Sequence, residues 1–392
     1  MTSKERVVNF ELSFEQEQFR DTVRGFVDAQ IRPVAREMEQ AGTYPDAIVT
    51  TMTEMGLFGM TIPPEYGGLG IDMVSYAIVF EEISRGWMGV AGILGSHSLA
   101  CLMIARHGTP EQKGRFLPEL ASGVRRAAMG LTEPDAGSDL QGIRARAVRD
   151  GEDYVVNGTK VWITNARYAN PLAVLVKTDP DAEPRHRGMS VLLVEQETAG
   201  YEVLRDMGKL GYKGPESCEV VLDNARVPAA NLLGGIEGRG MQQVLSALEV
   251  GRINVAARAV GVSQASLDAA LSYALERHAF GQPIAEFQAI QLRLADLATE
   301  TQAARLLTWW AATMADQERR ADVETGMAKL FASEVALRSS LEAMRVHGGY
   351  GYSTEYEVER YYRDAPLMAI GEGTSDILRT VIARGLVSER RK

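Results

Sequence analysis

The stretch "YVVNGTKVWITN", residues 154–165, marks a change in the texture of the chain. Asn157-Gly158 is a strong two-residue turn signal, because both residue types tolerate positive φ, and valines, Thr159 and Tyr154 flank it. The pattern predicts a β-hairpin. "LAVLVKT" (172–178), "MSVLLVEQ" (189–196) and "CEVVLDNARVP" (218–228) follow at strand-like lengths with nothing helical between them. Strands in succession without intervening helices predict a small antiparallel sheet or barrel rather than a βαβ fold.

Both flanks read as helical. Ser13 with Gln16 forms a capping box, and Phe19, Val23, Phe26 and Val27 then recur on one face. Pro33 predicts a bend or an end there. Asp72 opens a second helix with Met73, Ala77, Phe80 and Ile83 on one side. In "GTPEQKGRFLPELASG" (108–123), Thr109 caps, Pro110 takes the first turn and Gly123 terminates. After the β region, "LLGGIEGRGM" (232–241) lacks the strand-loop-helix setting of a phosphate loop and reads as a flexible join. Two apolar stripes then follow at helical spacing, Phe287, Ile290, Leu294 and Leu297, and Val323, Met327, Leu330, Leu337, Leu341 and Met344. Long amphipathic helices with short breaks predict a four-helix bundle. The expected organisation is a helical domain over 1–125, a β domain over 126–235 and a helical bundle over 236–392.

Bulk chemistry narrows the function. The 392 residues carry a formal net charge of −10, which disfavours a polyanionic partner such as nucleic acid. Two cysteines, Cys101 and Cys218, make no disulfide framework, so a reducing compartment, the cytoplasm, is expected. The first residues hold no apolar signal core. No apolar run approaches a membrane span, with "LACLMIA" (99–105) the nearest. His97, His107, His186, His278 and His347 show no metal-ligand spacing, so no metal is expected; His347 stands in a glycine-aromatic loop.

Three stretches could carry chemistry. "MGLTEPDAGSDLQG" (129–142) sets Thr132, Glu133, Ser138 and Asp139 around Pro134 and Gly137, either as a ligand loop or as a polar connection. Trp162 is either a core residue or a ring for stacking on a planar cofactor. In "APLMAIGEGTSDILRTVIARG" (365–385), Glu372 stands between two glycines, as a solvated turn or as a general base reaching into a closed pocket.

Taken together these motifs resemble the acyl-CoA dehydrogenases: "GLTEPDAGSD" (130–139), "WITN" (162–165), "ALERHAFGQPIAEFQAIQ" (274–291), "RVHGGYGYSTEYEVERYYRD" (345–364) and "GEGTSDI" (371–377) stand in family order and span nearly the whole chain. The resemblance implies a helical domain, a middle β-barrel and a four-helix bundle, assembled as a homotetramer with one FAD per subunit. It implies flavin contacts at Leu131, Thr132, Ser138, Trp162, Thr164, Thr374 and Ser375. Adenine dinucleotide contacts fall at Arg277, Phe280 and Gln288 of a neighbouring subunit, with Gly348 and Gly349 at the pyrophosphate and Arg345 where the family usually has Gln. Substrate contacts fall at Ser138, Glu249, Arg252 and Gly373. Glu372 would take the α-proton of an acyl thioester while hydride leaves the β-carbon for the flavin. The thioester oxygen would be held by a flavin ribityl hydroxyl and the Glu372 amide, and the electrons would pass to electron-transfer flavoprotein.

Two departures bear on the substrate. Gly371 replaces a frequent Tyr before the base, which opens the pocket wall or frees the loop. "GWMGVAGILGSH" (86–97) holds no arginine for a terminal carboxylate, though Arg85 is near, so a monocarboxylic acyl group is expected. Gly251 stands where some members carry their base, which leaves Glu372 alone. Competing readings are a flavin oxidase or monooxygenase on the same fold, although monooxygenases typically lack the Glu-Gly-Thr loop, and a nucleic-acid-binding homologue without activity.

Overall fold

The computed structural model describes residues 11–317 and 320–391; the expectation for residues 1–10 lies outside that range. Helical N- and C-terminal regions flank a middle β region. By contact the chain divides into two compact units. One comprises Met1–Val34, Asp72–Met88 and Arg252–Lys392, the other Ala35–Ile71 and Gly89–Gly251.

In the first unit, α1 (Phe14–Phe26) begins with the expected capping box: Gln16 N–H donates to Ser13 Oγ at 3.2 Å, and Ser13 N–H to Gln16 Oε1 at 3.0 Å. Pro33 does not end the helical path. A π turn over Val27–Ile31, in which Arg32 N–H reaches back to Val27 O, leads into α2 (Arg32–Ala41) and absorbs the donor that proline lacks. The α3 helix (Asp46–Glu54) belongs to the second unit. Asp72 opens α4 (Met73–His107), with Oδ1 accepting from the N–H groups of Val74 (3.0 Å) and Ser75 (2.9 Å). Helical geometry breaks once in α4, at Trp87 (φ −156°, ψ 107°). This helix corrects the expectation about membrane spans. It is long and apolar enough to cross a bilayer by length and composition. However, 89% of its most apolar window is buried, as in a core helix.

The second unit is built on a sheet. After α5 (Pro110–Ala121), whose Thr109 cap and Gly123 stop match the sequence reading, come β1 (Arg126–Gly130), β2 (Arg146–Asp150), β3 (Asp153–Thr164), β4 (Ala169–Lys177), β5 (Met189–Val194), β6 (Tyr201–Asp206) and β7 (Ser217–Pro228). The order is β1-β4-β2-β3-β7-β6, with β5 also on β4. The expected antiparallel barrel is therefore corrected to a curled mixed sheet, since β1 runs parallel to β4 and β2 meets β4 in parallel at Arg146–Lys177. The Asn157-Gly158 hairpin is also corrected. Those residues lie inside the single strand β3, at a register slip opposite β7. The true hairpin turns at Gly151-Glu152 between Asp150 and Asp153, with Gly151 supplying the positive φ (60°) at the first turn position. Gly158 is needed for close approach: a Cβ there would lie 2.5 Å from Ala145 Cβ.

Strands β4 and β5 are buried on both faces, which explains their unbroken apolar runs. Leu172, Val174, Val176, Leu192 and Val194 join one core cluster. Their alternates Ala173, Leu175, Val191 and Leu193 join another with Ile104, Phe116, Leu117 and Leu120. The 232–241 link is ordered rather than loose, as Gly238 N–H donates to Ser190 Oγ at 3.0 Å.

The remaining elements are α6 (Gly240–Glu276), the short β8 (His278–Ala279) and β9 (Gln282–Pro283), α7 (Gln288–Ala315), α8 (Asp322–His347), α9 (Val358–Ile370) and α10 (Ser375–Glu389). Helix α8 packs against α7, α9 and α10. Its buried face differs from the predicted stripe. Thr325, Gly326, Ala328, Lys329, Ala332, Ser333, Ala336, Ser340 and Ala343 are buried, whereas Val323, Met327, Leu330, Leu337, Leu341 and Met344 are only half-buried. Small side chains let neighbouring helices approach closely, and that outweighs apolar size here.

Candidate active site

In the first unit α9 ends at Gly371, in extended geometry, where its N–H closes on Leu367 O at 2.7 Å. Glu372 then takes a left-handed backbone (φ 54°), and Gly373 follows at φ 98°. A left-handed glutamate is uncommon and costs of order 1 kcal/mol or more, so the fold around it must enforce it. Thr374 restarts the chain as the cap of α10, accepting from Ile377 N–H at 3.3 Å. The Glu372 carboxylate is not a solvated turn group: its Oε2 is buried and makes no hydrogen bond. Burial raises its pKa above the ordinary carboxylate value, partly offset by the positive charges of Arg258, Lys329 and Arg252.

Those cations come from two helices. Arg252 and Arg258 lie on α6, with Arg252 Nη1 paired to Asp322 Oδ1 at 3.0 Å. Lys329, on α8, is fully buried and donates through Nζ to Gly373 O at 2.6 Å. One turn on, Ser333 Oγ donates to Met368 O at 2.8 Å. Ser375 Oγ is a second buried oxygen in this loop that makes no hydrogen bond. Glu249, also on α6, is half-buried and feels the charge of Arg106.

A groove of about 620 Å³ in the same unit is lined by Tyr273, Arg277, Ile284, His347, Gly348 and Gly349 among others. It brings together three of the expected dinucleotide residues. Phe280 stands outside that lining, 97% exposed with a left-handed backbone (φ 52°), its ring edge-on to Phe287. Gln288 is exposed at the start of α7, and Arg345 is exposed and paired with Glu342. His347 is a packing residue, stacked on Tyr273 with centroids 4.2 Å apart.

In the second unit the loop after β1 is tied to β3. Val161 N–H donates to Thr132 O at 2.9 Å, and Lys160 Nζ donates to Leu131 O at 3.2 Å and to Glu133 Oε1 at 2.8 Å. The Glu133 carboxylate also accepts from the N–H groups of Arg144 (2.6 Å) and Ala145 (3.0 Å). Glu133 is therefore an inward clamp, while Ser138 stays exposed further along the loop. A second register slip in β3, between Lys160 and Ile163, puts Trp162 in the left-handed region (φ 62°) and turns its indole outward, 52% exposed. The core-residue reading of Trp162 does not hold. Thr164 beside it accepts from Ser96 Oγ through its carbonyl (3.2 Å), and its hydroxyl faces Tyr212 Oη at 3.5 Å.

The sequence reading missed Lys160, Arg258, Lys329, Ser333 and Tyr212. For Lys160 a signal existed, since it falls on the same strand alternation as Tyr154, Val156 and Gly158; Lys329 had none, because it stands off the apolar stripe that the spacing of α8 predicts.

The first unit thus holds a buried carboxylate in a strained loop, and the second an outward tryptophan on a bulged strand, each a group that flavin-dependent dehydrogenation can use. Models of the acyl-CoA dehydrogenase N-terminal, middle and C-terminal domains match residues 13–124, 128–225 and 238–387. A Bacillus subtilis protein named "Probable acyl-CoA dehydrogenase YngJ" is 45% identical over 97% of this chain and 100% of its own length. The structure of butyryl-CoA dehydrogenase from Megasphaera elsdenii superposes with a TM-score of 0.94 at 34% identity, covering 97% of this chain and 100% of that one. A glutaryl-CoA dehydrogenase from Mycobacterium smegmatis, in complex with FADH2, gives a TM-score of 0.90 at 31% identity, covering 96% and 95%. The chain belongs to the acyl-CoA dehydrogenase family. It is an oxidoreductase acting on acyl-CoA, with FAD as its cofactor. The residues present fit that group: the Trp162 indole offers a flat apolar face, the groove beside Arg277 has two bare glycines at its rim, and Ser375 Oγ is an unsatisfied donor.

Proposed function

We propose that the chain converts a saturated, monocarboxylic acyl-CoA into the trans-2-enoyl-CoA, with Glu372 as the base. The observation that carries this reading is the buried, hydrogen-bond-free Oε2 of Glu372 on a left-handed loop. An α-proton of a thioester is only weakly acidic, so the base must be held near it and be desolvated enough to want the proton. When bound, FAD supplies the acceptor for the hydride leaving the β-carbon. Glu372 Oε2 takes the α-proton, and its own backbone N–H donates to the thioester oxygen as charge develops there. The positive charges of Arg258, Lys329 and Arg252 oppose, without cancelling, the upward push of burial on the Glu372 pKa.

Leu131, Thr132, Trp162 and Thr164 would hold the flavin ring, with Ser138, Thr374 and Ser375 at its edge. Arg277, Phe280, Gln288, Arg345, Gly348 and Gly349 would hold the dinucleotide of a neighbouring subunit in a homotetramer. Ser138, Glu249, Arg252 and Gly373 would meet substrate. The monocarboxylic preference is supported by Arg85, which is buried and paired with Glu82 (3.0 Å) and Asp28 (2.8 Å) and so has no charge to spare for a terminal carboxylate. The reading includes three domains at 1–125, 126–235 and 236–392, a cytoplasmic setting in keeping with two buried free thiols, and electron-transfer flavoprotein as acceptor. A panel of straight, branched and dicarboxylic acyl-CoAs, scored by anaerobic flavin bleaching, tests it. Bleaching by monocarboxylic thioesters is expected; bleaching by dicarboxylic ones alone overturns the substrate assignment.

A further inference from the structure

We propose that Lys329 is a positioning residue for the Glu372 carboxylate, holding the base loop from α8 together with Ser333. This deepens the proposed function and rests on its assignment of Glu372 as the base. The turn carrying Glu372 is held by one helix face on both sides, in the last turn of α9 and at Gly373 just before α10. Ser333 Oγ takes the Met368 carbonyl at 2.8 Å and Lys329 Nζ takes the Gly373 carbonyl at 2.6 Å, four residues apart on α8. Glu372 lies between these anchors in its left-handed turn.

A fully buried ammonium is costly, and an apolar side chain of similar volume would serve packing better. The neighbouring buried residues on α8, Gly326, Ala328, Ala332 and Ser333, are small. Among the described residues Lys329 makes no contact ion pair; the acidic groups whose fields it feels are Glu372 and Glu334, with Arg252 opposing them. Arg252 already shares its charge with Asp322 at 3.0 Å. The groups acting on Glu372 are Arg258 and Arg252 from α6 and Lys329 from α8. Burial lowers the Lys329 pKa to about 8, so it is charged through the neutral range. Lys329 thus does two things at once: its N–H fixes the carbonyl next to the base, and its charge favours the ionised carboxylate.

The test uses the holoenzyme and the variants Lys329→Met, Lys329→Arg and Ser333→Ala. Flavin reduction by butyryl-CoA is followed by rapid mixing across pH, and backbone amide exchange is followed over residues 368–377. Removing the charge in Lys329→Met should move the acid limb of the rate profile to higher pH, slow reduction about 10–100-fold through misplacement, and speed exchange in the loop. Lys329→Arg keeps the charge and should keep the acid limb. Ser333→Ala should speed exchange without moving the limb, because it removes a bond and no charge. A Lys329→Met enzyme with wild-type limb and exchange overturns the inference. If Lys329→Met does not accumulate folded, a shifted limb in Lys329→Arg, or wild-type exchange in Ser333→Ala, overturns it instead. Failure of the base assignment is separate, since it would appear as wild-type reduction in Glu372→Gln.

Discussion

Lys160 and Glu133 form a buried ion pair, Nζ to Oε1 at 2.8 Å, that ties the loop after β1 to the strand carrying Trp162. Glu133 holds two further backbone N–H groups, from Arg144 and Ala145. Replacing Glu133 by Gln strands the ammonium without a counter-charge. Breaking a buried pair in this way costs about 3–5 kcal/mol, so unfolding by denaturant should need correspondingly less urea, and flavin should be lost first. The Glu133 pKa lies below its ordinary value because Lys160 and its hydrogen bonds outweigh burial. Its stabilisation is therefore present above the unfolded value near 4.5 and is lost as pH falls through the lower, folded one. The variant should show a flatter acid limb of stability.

Gly92 makes room for Tyr212. A Cβ at position 92 would lie 1.6 Å from Tyr212 Oη, and Tyr212 is buried at 6% exposure with a left-handed backbone. Gly92→Ala should destabilise the protein by about 1–3 kcal/mol, the usual range for overpacking, and Tyr212→Ala in the same chain should restore part of the loss. Calorimetric melting of the single and double variants checks this. Additive losses would mean that the two sites do not compete for space.

Gly371 is built for a small residue only in part. Its backbone is in the extended region, and a Cβ there meets Leu367 O at 3.3 Å, a contact that a shift of a few tenths of an ångström relieves. Gly371→Tyr should fold and should narrow acyl selection, with branched thioesters losing about 1–3 kcal/mol more in kcat/KM than straight ones. Equal losses across the acyl panel would show that position 371 does not face the acyl chain.

Local grammar was legible where local chemistry decides it. The Ser13 capping box, the Thr109 cap and the Asp72 helix start depend on residues within one turn, and each stands where the sequence places it. The sheet was less legible because its defining pairings are remote. The parallel partner of β1 is β4, some forty residues on, and Asn157-Gly158 carries a turn signal that the close approach of Ala145 puts to another use. The candidate site was legible at Glu372 and Trp162, whose motifs are contiguous. Its supports were not: Lys329 meets Gly373 only through the packing of α8, and no spacing in the chain announces that contact.

The central claim is that Glu372 takes the α-proton, and Glu372→Gln tests it most directly. The amide keeps the size and much of the polarity of the side chain but cannot accept the proton. A positioned general base contributes about 10²–10⁴-fold, so flavin reduction by butyryl-CoA in rapid mixing should slow at least about a hundredfold while flavin content and thioester binding persist. The wild-type rate should rise with pH through one ionisation displaced above the ordinary carboxylate range by burial, and that step should vanish in the variant. A Glu372→Gln enzyme that bleaches its flavin at the wild-type rate, with the ionisation intact, would contradict the account.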